Sequence, residues 1–318
     1  MSILDQIARE AGVSAMTVAR VLKGDRSYAR PSAERRAQRI QLIAERLHYR
    51  PNQAAKAVRT GRFGTIALVI PDRAEGGRLP TELLDGILAE TEDRDLHLTI
   101  ARAPAAGGRP PRLWRERSAD GLLLLGGAPA VGGLPAISLG IRAERDCVYP
   151  DDVAAGRQAT ALLRRLGHRS IAFIGFAASP AVASRQEGYR QALDGLPGRV
   201  IEPPEGDRFA WARSLLAMPD RPSAVVCGAT GDAVPLLLAA GELGIAVPQA
   251  LSIVAIDTEA VDVHLGFTPT RIAVPFHTLG RIGVSRLVER IAHPGVPLPP
   301  ACVPYDLRDG GTCAPPAG

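Results

Sequence analysis

Apolar residues recur at helical spacing through the first fifty positions. Leu4, Ile7, Ala8 and Ala11 fall at i, i+3 and i+4 and make one stripe, which predicts a short amphipathic helix. Gly12 is suited to the left-handed turn that ends such a helix, and Ser14 is a good N-cap for the next. In that second segment Val18, Val21 and Leu22 share a face. Ala15, Met16, Thr17 and Arg20 are left on the outside. A third segment repeats the spacing at Ile40, Ile43, Ala44 and Leu47 and is expected to close a small three-helix core. Two short helices joined at a Gly-containing turn form the pattern of a helix-turn-helix, whose second helix enters a DNA major groove.

Beyond Gly64 the pattern changes. Short continuous apolar runs at 65–71, 96–101, 121–125, 136–139, 170–176, 224–227 and 252–257 alternate with amphipathic segments at 82–93, 153–166, 185–193, 232–243 and 278–291. Continuous rather than alternating apolar strands imply sheets covered on both faces, and so parallel α/β layers. Ligands of such sheets bind beyond the carboxyl ends of the strands. The loops at 72–79, 151–152, 176–185 and 257–263 are therefore the functional candidates.

Charge sharpens this division. Residues 1–62 hold 13 Lys+Arg against 5 Asp+Glu, while residues 63–318 hold 25 against 28. The net +5 of the whole chain thus belongs to a head of net +8. Clustered positive charge is the electrostatic footprint of a nucleic-acid binder, because each neutralised phosphate releases counterions. A chain of 318 residues with 46% hydrophobic content suits a small head and a body of two lobes. No apolar run reaches membrane-spanning length and the basic N-terminus has no signal-peptide core, so a cytoplasmic protein is expected. Cys147, Cys227, Cys302 and Cys313 are scattered without metal-ligand spacing, so no metal and no cofactor is expected, and Cys227 reads as a buried, inert thiol.

The stretch Ala11-Gly12-Val13-Ser14, then Thr17-Val18-Ala19-Arg20-Val21-Leu22, then Tyr49-Arg50-Pro51-Asn52-Gln53-Ala54-Ala55 resembles the DNA-binding head of the lactose-repressor (LacI/GalR-type) family of bacterial transcription regulators. The body resembles the periplasmic-binding-protein-like domain of the same family. The matches are Asp151-Asp152-Val153-Ala154-Ala155-Gly156, the run from Leu166 to Gly175, Arg185-Gln186-Glu187-Gly188-Tyr189, Ala224-Val225-Val226-Cys227, and Leu243 to Pro248 leading into Ser252-Ile253-Val254-Ala255-Ile256-Asp257. The resemblance implies three segments: a helix-turn-helix head at 1–50, a hinge helix or linker at 51–61, and a two-lobed effector-binding and dimerisation domain at 62–318. It implies three chain crossings between the lobes and an effector in the cleft. The function to be expected is a sequence-specific, allosterically controlled repressor acting on a near-palindromic operator as a homodimer. The effector class would be a sugar or sugar derivative, with no membrane partner.

For DNA the candidates are Ser14, Ala15, Met16, Thr17 and Arg20 in the head, and Asn52, Ala55, Lys56 and Val58 in the hinge. Arg20 is the best base reader, since arginine contacts guanine O6 and N7 bidentately. A segment of eight or nine residues is too short to be helical alone, so the hinge would fold only with DNA and a second chain. Val58 takes the place of the family's leucine wedge, and its shorter side chain predicts a weaker kink. For the effector the candidates are Asp72, Leu79, Asp152, Arg185, Phe209 and Asp257, with Trp211 a second apolar wall. A guanidinium fork and a carboxylate together bind hydroxyls, amides or carboxylates directionally. The structural alternatives are a helix-start surface arginine for Arg185 and an N-cap or strand-end carboxylate for Asp257.

The chain departs from the family pattern in its pocket. Gly76-Gly77-Arg78-Leu79-Pro80 carries no stacking aromatic, Ala229-Thr230 replaces an Asn-Asp pair, and Thr258 replaces a second acid. The chain's only asparagine is Asn52, outside the body. A regulator with a lost or altered effector response, or a solute-receptor-like protein, is the alternative reading. No G-x-S-x-G, H-E-x-x-H or P-loop is present, and the six histidines are dispersed, so an enzyme is not expected.

Overall fold

The computed structural model describes residues 3–22, 31–49, 57, 61–71, 79–104, 115–116, 118–126, 128, 133–176, 178–257 and 269–317. The chain divides into two compact units, Met1–Phe63 and Gly64–Gly318.

The first unit contains α1 (Ile3–Ala11), α2 (Ala15–Leu22) and α3 (Pro31–Arg46). Ile7, Val18 and Ile40, one from each helix, are fully buried against one another's neighbours in a single core. Gly12 takes φ +68°, and the Val13 N–H reaches back to the Ala8 carbonyl at 2.9 Å, so α1 ends in a left-handed cap. Ser14 Oγ accepts from the Thr17 N–H at 3.2 Å and caps α2. The helix boundaries, the turn and the core agree with the sequence pattern.

The second unit is built on two six-stranded sheets. The first contains β1 (Thr65–Ile70), β2 (His97–Arg102), β3 (Gly121–Leu125), β4 (Ala136–Leu139), β5 (Cys147–Pro150) and β11 (Ala301–Val303), in spatial order β11-β5-β4-β3-β1-β2, with every pairing parallel. The second contains β6 (Ile171–Ile174), β7 (Gly198–Ile201), β8 (Ala224–Cys227), β9 (Ser252–Asp257), β10 (Thr270–Ala273) and β12 (Asp306–Arg308), in order β12-β10-β9-β8-β6-β7. Only the edge strand β12 is antiparallel. In β1, Ile66 and Leu68 join the core under α4 (Thr81–Asp93) and α9 (Phe276–Ala292), while Ala67 and Val69 join a second core on the other face. Burial on both faces is why these strands show continuous apolar runs. In the second lobe, Ala224 and Val226 of β8 face α5 (Asp152–Arg165) and α6 (Pro180–Leu193). Val225 and Cys227 face α7 (Arg208–Leu216) and α8 (Thr230–Glu242).

The chain crosses between the lobes three times: from β5 into α5 at Asp151, from β10 into α9 at Val274 and Pro275, and from β11 into β12 at Pro304 and Tyr305. Phe276 packs against the main cores of both lobes.

Sequence reading misplaced some elements. Helix α6 begins at Pro180, five residues before the expected 185, with Pro in its first turn. Strands β5, β7, β10, β11 and β12 and helix α7 were not foreseen. The Pro-rich tail is ordered through Thr312, whose Oγ1 donates to the Ile253 carbonyl at 2.6 Å and accepts from the Thr270 N–H at 2.9 Å.

His168 is buried beside that tail. Its Nδ1 lies 3.0 Å from Ser223 Oγ, and its Nε2 lies 2.9 Å from the Ala314 carbonyl, an arrangement the neutral imidazole satisfies. Burial holds its pKa below the ordinary histidine value, only partly offset by the Ala314 carbonyl. The unfolded chain therefore binds a proton that the folded chain refuses. Stability contributed by His168 is complete above about pH 6.5 and is lost as the pH falls below it. Urea denaturation between about pH 7 and about pH 5 is expected to show this acid loss, and His168→Gln to flatten it. An acid limb unchanged in the variant would remove His168 as its source.

Candidate functional site

On the head, α2 turns Val18 and Val21 inward, which leaves Met16 82% exposed and Arg20 exposed on the opposite side. Thr17 is half-buried, its hydroxyl 3.0 Å from Ser14 Oγ. Ser14 is thus occupied in capping α2, and Arg20 and Met16 are the side chains of this face best presented to an incoming surface. Arg46 pairs with Glu10, and Arg39 Nη2 donates to the Glu10 carbonyl at 3.1 Å, which ties α3 to α1. Asn52, Ala55, Lys56 and Val58 lie outside the described residues.

In the body, Gly156 of α5 and Gly188 of α6 bring two helices unusually close. A Cβ on Gly156 would lie 1.8 Å from the Arg185 carbonyl oxygen, and one on Gly188 1.9 Å from that of Val153. Only glycine fits at either contact. The close approach sets Arg185 beside Asp152: Arg185 Nε donates to Asp152 Oδ1 at 2.7 Å. Arg185 Nη1 donates to the Gly228 carbonyl at 2.7 Å and Nη2 to the Tyr305 hydroxyl at 3.1 Å. The Tyr305 hydroxyl in turn donates to Asp152 Oδ1 at 2.5 Å. Burial raises the pKa of that hydroxyl, so it remains a donor. Asp152 stands on the first crossing and Tyr305 on the third, so one buried arginine joins two of the three interlobe connections to the end of β8.

Two cavities open around this cluster. One, about 460 Å³, is lined by Arg142, Tyr149, Asp151 and Asp152 on one side and by Ser179 and Ser184 of the α6 region on the other. The second, about 340 Å³, lies beyond the carboxyl ends of β6 and β8 and is lined by Phe176, Arg185, Arg208, Ala229 and Asp232. Both lie where open parallel sheets bind ligands.

Of the effector residues expected from sequence, Arg185 and Asp152 come together and line these cavities. Arg185 is 3% exposed, which corrects the surface-arginine alternative. Leu79 packs half-buried on the first-lobe core, Phe209 is 38% exposed on α7, and Trp211 packs on the second-lobe core; none lines either cavity. Asp257 ends β9, its backbone paired in register with Ala273. Asp72 lies outside the described residues. Tyr305, Arg208 and Asp232 were missed. Asp207 caps α7 by accepting from the Ala210 N–H at 2.9 Å, which makes Arg208, not Phe209, the residue that turns into the cavity.

All four cysteines are free thiols. Burial pushes Cys227 up and Cys313 up to about 11, so neither forms a thiolate near neutrality. Cys147 proves as fully buried as Cys227. No helix among the described residues is long and apolar enough to cross a membrane.

Comparison with known proteins agrees with both units. Residues 3–52 match the family model of bacterial regulatory proteins, lacI family, and residues 160–313 match that of the periplasmic binding protein-like domain. The ribose operon repressor of Haemophilus influenzae is 28% identical over 95% of this chain and 97% of its own. The crystal structure of a LacI family transcriptional regulator from Mycobacterium smegmatis is 29% identical, with a TM-score of 0.63 over 79% of this chain and 99% of that one. The lac repressor dimer bound to operator and the anti-inducer ONPF superposes with a TM-score of 0.73 over 99% of both chains at 19% identity, a likeness of fold. A lacI-type head is thus joined to a two-lobed body that shares the fold of such regulators throughout. Residues 3–52 thus carry the head of the lacI family of bacterial regulatory proteins, and residues 160–313 a periplasmic binding protein-like domain.

Proposed function

We propose that the chain is a cytoplasmic, sequence-specific DNA-binding transcription repressor, not an enzyme, that works as a homodimer. Its operator affinity is set by a small sugar or sugar derivative bound between the lobes. The observation that carries this reading is the division of labour between the units. A head of net +8 exposes Arg20 and Met16 on its second helix. A body of opposite net charge gathers its crossings around the buried Arg185–Asp152–Tyr305 cluster beside two cavities. The sugar class is supported by relatives, among them the ribose operon repressor and a LacI-type regulator from Enterococcus faecium with bound ribose.

In this reading 1–50 reads the major groove, 51–61 forms the hinge, and 62–318 binds effector and pairs with its copy. Asn52, Ala55, Lys56 and Val58 contact the minor groove once the hinge folds on DNA. A ligand that prefers one relation of the lobes shifts the population toward it. A coupling of about 1–3 kcal/mol, ordinary for allostery, changes operator affinity about 5–150-fold. Two copies related by a two-fold axis require a near-palindromic site. Selection from random duplex DNA by the full chain tests this: a two-fold symmetric sequence is expected, and recovery of no enriched sequence would overturn it.

A further inference from the structure

We infer that the cavity beyond β6 and β8 recognises an anionic group, a carboxylate or phosphate, on the effector, and that Arg208 is the residue that selects for it. The inference rests on the proposed effector reading and narrows its ligand class.

The cavity holds two guanidinium groups with different duties. Arg185 already donates to Asp152, Gly228 and Tyr305, so its charge is met inside the protein. Arg208 lies with its Cζ 4.8 Å from the Phe176 ring centroid, and about a third of its side chain is exposed. Its carboxylate partner is Asp232, with Nη1 donating to Oδ1 at 3.1 Å. Asp232 is 4% exposed in the first turn of α8. Burial pushes its pKa up to about 6, against the opposing pull of Arg208 and of a backbone hydrogen bond from Ala229. The pair is therefore easily exchanged: a ligand anion can take Arg208 while Asp232 accepts a proton and stays buried as a neutral acid. Cys227 on β8, held as a thiol, also interacts with Asp232, and Arg185 of α6 lines the same cavity.

The surroundings favour the same sign. Ser179 and Ala229, the N-cap residues of α6 and α8, both line the cavity, and neither makes a side-chain capping hydrogen bond. Two helix N-termini thus add positive potential where a ligand would sit. A neutral sugar would leave the Arg208–Asp232 pair in place and draw little from it. An anion offers Arg208 an equally charge-assisted partner whose charge need not be buried as that of Asp232 is.

The test is calorimetry and thermal shift on the full chain with matched probes: glucose, gluconate, glucose 6-phosphate, ribose, ribose 5-phosphate and millimolar inorganic phosphate. Binding by at least one anionic probe, with its neutral counterpart weaker by about tenfold or more, is the expected result. Gluconate does not titrate near neutrality, so its affinity reports Asp232. It is expected to rise as pH falls from about 8 to about 6, by up to about tenfold per unit above the Asp232 pKa. Arg208→Gln should abolish the preference for the anion, Arg208→Lys should retain part of it, and Asp232→Asn should keep anion binding but remove its pH dependence. Equal binding of neutral sugars unaffected by Arg208→Gln, or no binding by any anionic probe, would overturn the inference. A parallel DNA titration separates the two readings. Anion binding without change in DNA affinity would leave the inference standing and remove effector control. Glucose or ribose changing DNA affinity while no anion binds would do the reverse.

Discussion

Arg185→Ala is expected to lower the stability of the body by about 3–5 kcal/mol, because it strips a buried carboxylate of its partner. The Arg185 side chain is 4% exposed and that of Asp152 12%, so water cannot replace the lost guanidinium at either. The Gly228 carbonyl and the Tyr305 hydroxyl lose their partner in the same step. Arg185→Lys should rescue little, since one ammonium cannot serve three acceptors in the plane of a guanidinium. Replacing the pair together, as Arg185→Met with Asp152→Leu, should recover much of the loss, because two charges no longer need to be buried. Tyr305→Phe, which removes only a hydroxyl, should cost about 1 kcal/mol. Urea denaturation of all four variants checks the ranking. An Arg185→Ala protein within about 0.5 kcal/mol of the parent would show that the cluster contributes nothing to holding the crossings.

Arg20→Ala is expected to produce the largest loss of DNA binding without loss of fold. Arg20 is exposed and outside the head core, so the substitution should leave the stability of the head within about 0.5 kcal/mol. A bidentate arginine–guanine contact discriminates by about 1–3 kcal/mol, and a two-fold dimer makes it twice. The selected site should therefore be bound at least about 30-fold more weakly, while non-specific DNA is bound almost as before. Met16→Ala should cost less, since its thioether offers only apolar contact. Titration against the selected site and a scrambled duplex distinguishes these outcomes. An equal loss on both duplexes would assign Arg20 to phosphate rather than base.

The head was legible because its three helices meet in one core that uses every apolar position of the pattern: Ile7, Val18 and Ile40 are each at the expected phase and fully buried. The central strands were legible for the opposite reason: burial on both faces makes 66–70 or 224–227 uninterrupted apolar runs. Edge strands such as β7 and β12 have half or more of their residues exposed, and β11 and β12 are three residues long, so nothing in their composition announces a strand. At the site, motif spacing singled out Arg185 and Asp152 but not their pairing. That depends on a helix–helix approach which Gly156 and Gly188 permit, a contact between residues far apart in sequence. Tyr305 was hidden in a Pro- and Gly-rich tail, although it is the sole aromatic between Pro294 and Gly318. Attention to aromatic walls favoured Phe209, and one helical step decided otherwise: with Asp207 as N-cap, Arg208 turns inward and Phe209 outward.

The central claim, sequence-specific DNA binding by this chain, is tested most directly by the ratio of its affinities for the selected site and for a scrambled duplex, each measured at two salt concentrations. A ratio of at least about 10³ is expected, with both affinities falling steeply as salt rises, because phosphates contribute to each and bases to only one. A ratio near one at both salt concentrations would contradict the claim.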